Sequence, residues 1–342
     1  MPSICRRAML AIATAIGLAG FPAIAQQTPV KFTLDFVIQG PHAPFFLAAE
    51  RGYYAREEIN LTALDAGRGS SDTVNRIASG AYDIGIGDIN ALIEFNSKNP
   101  GKGLIAVMIY YDSGPFAIIT LRDKGITTPK DLAGKKAAAP SFDTPFRLFS
   151  LFAKANGIAP QSVSWANVAP TLREPMLAQG QTDMISGFSF TSMLALRSLG
   201  VPESKLNVFY YRDYGVDLYS NAIIVSPAYA KANPKIVAGF VRATLRGMQD
   251  TIAEPRAAVA TVKKREALLN ENLEYERLMM AIGTSMITED VKKDGLGNVR
   301  RDRMIKNIAL VSEGFGLERK ITPEQVFDPQ FLPPRAARNA TR

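Results

Sequence analysis

Apolar positions along the chain follow two alternating periods. Residues 31–36 and 59–64 carry apolar side chains at every second position, as a strand with one face against a core requires. Residues 84–87, Ile-Gly-Ile-Gly, predict a short buried strand. Between the first two strands, residues 44–52 predict a helix with Pro44 in its first turn and Gly52 at its end. Gly67-Arg68-Gly69 forms a loop, and a second helix, N-capped by Ser70 or Ser71, closes at Gly80. Strands alternating with helices in this order predict parallel βαβ units.

The same order returns about a hundred residues later, with strands at 135–139, 163–168 and 184–186 and helices at 144–157 and 171–180. Ala78-x-Gly80-x-x-Asp83 reappears as Ala178-x-Gly180-x-x-Asp183, a helix ending on glycine before an Asp that opens a strand. Two related α/β halves follow, joined by a crossing at 110–120 and a return at 208–225. We expect a first lobe from 29–114 and 216–325, a second from 115–215, and an extended, fraying tail over 326–342. Residues 227–286 are expected to be largely helical, broken at Pro234 and Pro255.

One apolar stretch fits neither period. Residues 8–21 are continuously apolar or small, follow Arg6 and Arg7, and lead to Ala23-Ile24-Ala25. They are too short to span a bilayer core of about 30 Å as a helix. Together these features predict a cleavable secretory signal over 1–25 and a periplasmic mature protein. Its removal takes away Cys5, the single cysteine, and lowers the net charge from +8 to +6. With one His and one Cys in 342 residues, paired-His metal motifs, cysteine zinc clusters and a disulfide framework are excluded. The late basic groups, such as Lys263-Lys264-Arg265 and Arg300-Arg301, are mixed with acids and show no nucleic-acid footprint.

Several short strings then stand in a telling order. They are Leu34-Asp35-Phe36, His42-Ala43-Pro44, Ala48-Ala49-Glu50-Arg51-Gly52-Tyr53-Tyr54, Gly69-Ser70-Ser71-Asp72, residues 78–85 and Asp131-Leu132-Ala133-Gly134-Lys135-Lys136. Through them, over about residues 30–317, the chain resembles the solute-binding proteins of ABC importers. It is most similar to the class that binds nitrate, alkanesulfonates, taurine and the thiamine pyrimidine precursor. Within that class, Leu-Asp-aromatic followed by His-Ala-Pro resembles the pyrimidine-precursor branch, with Phe36 where that branch usually has Trp and Pro41 where it often has Asn. The resemblance implies a two-lobed α/β periplasmic-binding-protein fold of type II, with Rossmann-like lobes joined by two crossing segments. It also implies a membrane permease as partner, no cofactor and a monomer.

In open α/β sheets ligands sit beyond the carboxyl ends of the strands. That rule selects Asp35, Phe36, His42, Arg68, Ser70, Ser71, Asp88 and Asn90 in the first half, and Phe142, Asp143, Thr144, Arg147 and Phe188 in the second. The crossings add Tyr111, Tyr214 and Asp217. Free amides at helix starts near Ser70 and Thr144 can hold an anion or polar heteroatom, or the hydroxyls can simply cap the helices. Arg68 and Arg147 can pair an acidic solute. Phe36, Phe188, Phe190 and Tyr214 can stack on a ring, and Asp35, Asp88 and Asp217 can accept from an amino group.

These residues predict capture of a small heteroaromatic solute by hinge closure. Nitrate, alkanesulfonate, taurine or an aromatic carboxylate are the alternatives, and a sensor can replace the permease as partner. A related eukaryotic group synthesises the same pyrimidine, an activity the resemblance associates with a cysteine-rich motif. That motif is missing here, so the expectation is a binder and not an enzyme.

Overall fold

The computed structural model describes residues 27–340, and the expected signal segment lies outside them. Among the described residues, ten strands are distributed over two five-stranded sheets. The first comprises β1 (Thr28–Thr33), β2 (Ile59–Asp65), β3 (Ile84–Asp88), β4 (Ile105–Ile109) and β10 (Asn221–Val225), in the order β2-β1-β3-β10-β4. The second comprises β5 (Phe116–Leu121), β6 (Lys136–Ala139), β7 (Ser164–Asn167), β8 (Met184–Phe188) and β9 (Leu206–Tyr210), in the order β7-β6-β8-β5-β9.

Both sheets obey one rule. Three parallel strands are followed by a strand that runs antiparallel to its neighbours, β10 in the first sheet and β5 in the second. Each inserted strand is the first after a crossing between the sheets.

The repeated hexamer has the same job in both halves. Gly80 and Gly180 adopt φ of 75° and 71°, a left-handed conformation that glycine enters without a Cβ penalty. The chain then turns so that the Asp83 carboxylate accepts from the Lys31 amide at 2.8 Å, and the Asp183 carboxylate from the Lys136 amide at 2.9 Å. Each Asp therefore clips the start of its strand to the strand beside it.

Three local expectations need correction. Neither Ser70 nor Ser71 caps the Ser70–Ala78 helix; Gly69 does, at φ 140°, where an added Cβ would stand 2.5 Å from the Phe142 carbonyl oxygen. The Gly67 and Gly69 amides donate to the Phe36 and Asp35 carbonyls at 3.0 and 2.7 Å. The predicted helix over 144–157 is two helices, Thr144–Arg147 and Phe149–Ala155, separated at the fully buried Leu148, whose ψ is near zero. The tail is packed through short 3₁₀ turns, including Pro323–Gln325 and Pro329–Phe331, instead of running extended. Val326, Phe327 and Phe331 are buried there, and Phe327 bridges to Ala106 beside β4, so apolar burial holds down a segment whose prolines suggested a loose surface strand.

The region around the two crossings is well packed. The Arg301–Phe315 helix lies against both the Ile89–Lys98 helix of the first half and the Phe149–Ala155 helix of the second. One apolar cluster accordingly runs from Leu92 and Ile109 through Met304 and Val311 to Phe116 and Phe152. From the same helix Arg303 reaches both crossings, donating to the Asp112 carboxylate at 3.0 Å, to the Asp112 carbonyl at 2.8 Å and to Asp217 at 3.3 Å.

Candidate functional site

A cavity lies between the carboxyl ends of the two sheets. Asp35, Phe36, Gln39, Pro41, His42, Gly69, Ser70 and Tyr111 line it from the first half, and Asp143, Arg173, Phe188, Phe190 and Thr191 from the second. Beyond Thr33 the chain leaves the β1 ladder and turns through Gly40–His42, which brings His42 back over Asp35. The Gln39 amide donates to His42 Nδ1 at 3.1 Å, so the hydrogen-bond pattern assigns the ring proton to Nε2, 3.0 Å from an Asp35 oxygen. The other Asp35 oxygen accepts from Asn221 at 2.8 Å, at the start of β10. Three distant segments therefore hold one buried carboxylate.

The opposite wall is built on Arg173, which is 1% exposed. Its guanidinium donates to Asp143 at 2.6 Å and to Glu174 at 2.8 Å, while Ser192 donates to the same Glu174 oxygen at 2.6 Å. Gly187 makes room for this group, since a Cβ there would lie 3.0 Å from the guanidinium carbon and 2.4 Å from Ser192 Oγ. Burial pushes the Asp143 carboxyl up to about 6, opposed by Arg173 and reinforced by the charges of Glu174 and Asp35.

Aromatic rings close the rest. Tyr111 meets Phe188 and Phe190 edge-on at 6.2 and 5.9 Å between centroids, and the Arg173 guanidinium lies 6.0 Å from the Phe36 ring centre. Burial holds the Tyr111 phenol well above its ordinary range, so it stays neutral. The cavity wall thus carries two carboxylates, Asp35 and Asp143, and a single guanidinium, which Glu174 neutralises further from behind the wall. The site carries net negative charge and ring-faced walls, a chemistry suited to amino or protonated nitrogen groups on a flat solute.

The cavity is narrow, leaving the centre of a water-sized sphere about 20 Å³. One water needs roughly 10–15 Å³ on that measure. A ring therefore enters only when the two halves move apart or Phe36 and Phe188 swing aside. Polar contacts hold the halves together at the rim: Arg147 pairs with Glu94, Arg197 with Glu276, and Thr191 donates to Gln39 at 2.9 Å.

Of the sequence-selected residues, the structure brings Asp35, Phe36, His42, Ser70, Tyr111, Asp143, Phe188 and Phe190 to this cavity. Arg68 points outward with its side chain 71% exposed, beside Asp72. Ser71, Phe142 and Arg147 line a separate surface pocket, where Arg147 is taken by Glu94. Thr144 is buried at the start of its short helix, apart from the cavity lining. Tyr214 packs on Phe152 and Phe209, both centroids 5.8 Å away, and Asp217 sits at the hinge with Arg303.

Asp88 and Asn90 serve the fold. Asp88 caps the Ile89–Lys98 helix through the Asn90 amide at 2.8 Å and accepts from Ser220 at 2.8 Å. The Asn90 side chain joins the Tyr219 carbonyl to Asn307 at 2.8 and 2.7 Å. Burial pushes the Asp88 carboxyl up to about 7, against the hydrogen bonds from Ser220 and Asn90. The folded state therefore binds more protons than the unfolded chain from about pH 4 to 7, and stability falls as pH rises through that window. Asp88→Asn keeps the cap, and Ser220 can reverse its hydroxyl. Urea midpoints between pH 4.5 and 7.5 should then fall less steeply than in the parent protein. An unchanged slope would show that Asp88 does not titrate there.

Sequence reasoning did not select Gln39, Gly69, Thr191 or Arg173. The internal repeat holds a signal for Arg173. Counted back from the paired hexamers it matches Thr73, whose hydroxyl bonds the Leu34 carbonyl at 3.0 Å beside Asp35.

A family model described as NMT1/THI5 like matches residues 39–258. A riboflavin-binding protein of Chloroflexus aurantiacus is 26% identical over 67% of this chain and 64% of its own length, so just under two thirds of that relative is spanned. A formylaminopyrimidine-binding protein of Halalkalibacterium halodurans is 22% identical over 67% and 68% of the two chains. A 4-amino-5-hydroxymethyl-2-methylpyrimidine phosphate synthase of Legionella pneumophila is 22% identical over 89% and 92%. Four further relatives, all fungal, are named as the same synthase. These synthases correct the expectation that the chain is not an enzyme, because proteins of this kind include catalysts.

Among solved structures, the aliphatic sulphonate binding protein SsuA of Escherichia coli superposes with a TM-score of 0.66 at 14% identity, over 90% of this chain and 94% of that one. The nitrate-binding protein NrtA of Synechocystis gives 0.66 at 14%, over 90% and 87%. These likenesses establish the fold as that of the two-lobed periplasmic binding proteins.

Proposed function

Because the chain belongs to the NMT1/THI5-like family, we propose that it captures a small, donor-rich heteroaromatic solute, of the aminopyrimidine type, between its two lobes. The observation that carries this reading is the charge balance of the cavity, whose wall sets Asp35 and Asp143 against the single guanidinium of Arg173, itself also paired with Glu174. Sulfonate and nitrate carry negative charge and would be repelled by that balance. An aminopyrimidine offers N–H donors to the carboxylates and a π-face to Phe36 and Phe188. Relatives named for formylaminopyrimidine and riboflavin point to the same ligand chemistry.

Capture proceeds by hinge bending at the two crossings. The narrow cavity favours such a motion, since a ring needs more room than the closed arrangement leaves. In this reading the protein works outside the cytoplasm, after loss of residues 1–25, and passes its solute to a membrane permease of the ABC type. Among the described residues, no helix is long and apolar enough to cross a membrane.

A thermal-shift panel tests the reading. Saturating aminopyrimidines should raise the unfolding temperature, because a ligand at 100 times its Kd adds about 2.7 kcal/mol. Nitrate, taurine and alkanesulfonates should leave it unchanged. A response to the anions alone would overturn the proposal.

A further inference from the structure

Beyond the inner cavity lies a larger chamber that shares four of its walls, Phe36, Gln39, Arg173 and Thr191. It leaves the centre of a water-sized sphere about 380 Å³, against about 20 Å³ inside. Both lobes contribute to it, and its lining is rich in apolar side chains, among them Ile38, Pro175, Ala195, Leu199 and Leu273.

Apart from Arg277 Nε, which is buried with no hydrogen-bond partner, the charged groups on its walls are engaged. Glu274 accepts from the Gly40 amide at 2.6 Å and pairs with Arg277, and Arg173 and Glu174 belong to the inner network. At the rim Leu268 is 94% exposed and Leu199 48% exposed. An isolated exposed leucine means little, but these two line a roomy space that adjoins a polar site.

We propose that this chamber is a second subsite, which takes an apolar arm of the same solute whose polar ring is held at Asp35 and Asp143. The occupant follows from adjacency and chemistry. The two spaces share walls and are parted where Thr191 donates to Gln39, a contact that an arm reaching outward must open; the outer space offers mainly apolar contact. The solute is then larger than a bare single ring, with donors at one end and a hydrocarbon or aryl group at the other. This rests on the proposed function and extends it.

Calorimetric titration with 4-amino-2-methylpyrimidine and its 5-methyl, 5-butyl and 5-benzyl derivatives separates the two ideas. The expected result is binding of the parent ring and a gain of roughly tenfold or more for the butyl and benzyl compounds, from apolar area removed from water. Ala195→Trp fills the chamber and should cancel that gain while leaving the parent's affinity intact. Leu199→Trp, at the half-exposed rim, gives the same readout should the first substitution disturb folding. If the parent binds and the arms add nothing, or if neither variant reduces their gain, the subsite is overturned and solute capture stands. If no member of the series binds, the aminopyrimidine reading falls and takes the subsite with it.

Discussion

Arg173→Leu should lower stability by about 3–5 kcal/mol and abolish solute capture, the largest single effect expected in the protein. The cost comes from what stays behind. Asp143 and Glu174 lie in the protein interior, and the guanidinium is the cation that both of them share. Without it, two buried carboxylates face each other with Asp35 nearby, and their charged forms become harder to hold. Burial already pushes Asp143 up to about 6, and removing Arg173 raises it further. The variant should therefore recover part of its stability as pH falls from 7.5 to 5, because protonation relieves the repulsion. Urea unfolding at those two pH values measures this directly, and an equal deficit at both would refute the account. Arg173→Lys supplies the charge without the planar fork that spans two carboxylates, so an intermediate loss is expected.

The second large effect is on closure. Gly69 faces the other lobe, where an added Cβ would stand 2.5 Å from the Phe142 carbonyl oxygen and 2.9 Å from its Cβ. The Gly69 amide is tied to the Asp35 carbonyl at 2.7 Å, so the loop has little freedom to retreat. Gly69→Ala meets two costs. Its φ of 140° is strained for any L side chain, which lowers stability whether the lobes are open or closed. The overlap with Phe142 arises only on closure and costs about 1–3 kcal/mol. Affinity for a solute held by closure should fall roughly 5–150-fold, with a smaller change in overall stability. Titration calorimetry with small-angle scattering checks this. Unchanged affinity, with the same compaction on binding as the parent protein, would show that the lobes do not meet at Gly69.

Much of the architecture was legible because it rests on local signals. Gly80 with Asp83, and Gly180 with Asp183, announce a helix end and a strand start by their spacing, and the structure uses both pairs identically. The cavity was legible where a residue ends a strand or stands within two residues of its end, as with Asp35, Tyr111 and Phe188. Asp88 and Asn90 also follow a strand, yet their partners, Ser220, Tyr219 and Asn307, arrive from more than 120 residues away. No local pattern distinguishes those two cases. Arg68 illustrates another limit, since the tight Gly67–Gly69 turn decides which way its side chain points. Arg173 was hidden for the opposite reason. A charged residue early in a helix usually faces solvent, and only the bare Cα of Gly187 and the carboxylate of Asp143, thirty residues back, make a place for it.

The inserted antiparallel strands also set an order of events in folding. All five strands of the second sheet lie within residues 116–210, so that lobe is assembled from one continuous length of chain. The first sheet waits for β10, at Asn221–Val225, to enter between β3 and β4, which end by Ile109. Joining strands so far apart in sequence is entropically slow. The lobe that begins the chain is therefore completed last. Until then β3 and β4 present unpaired edges to anything nearby, a period of vulnerability during synthesis for which the second lobe offers no cover.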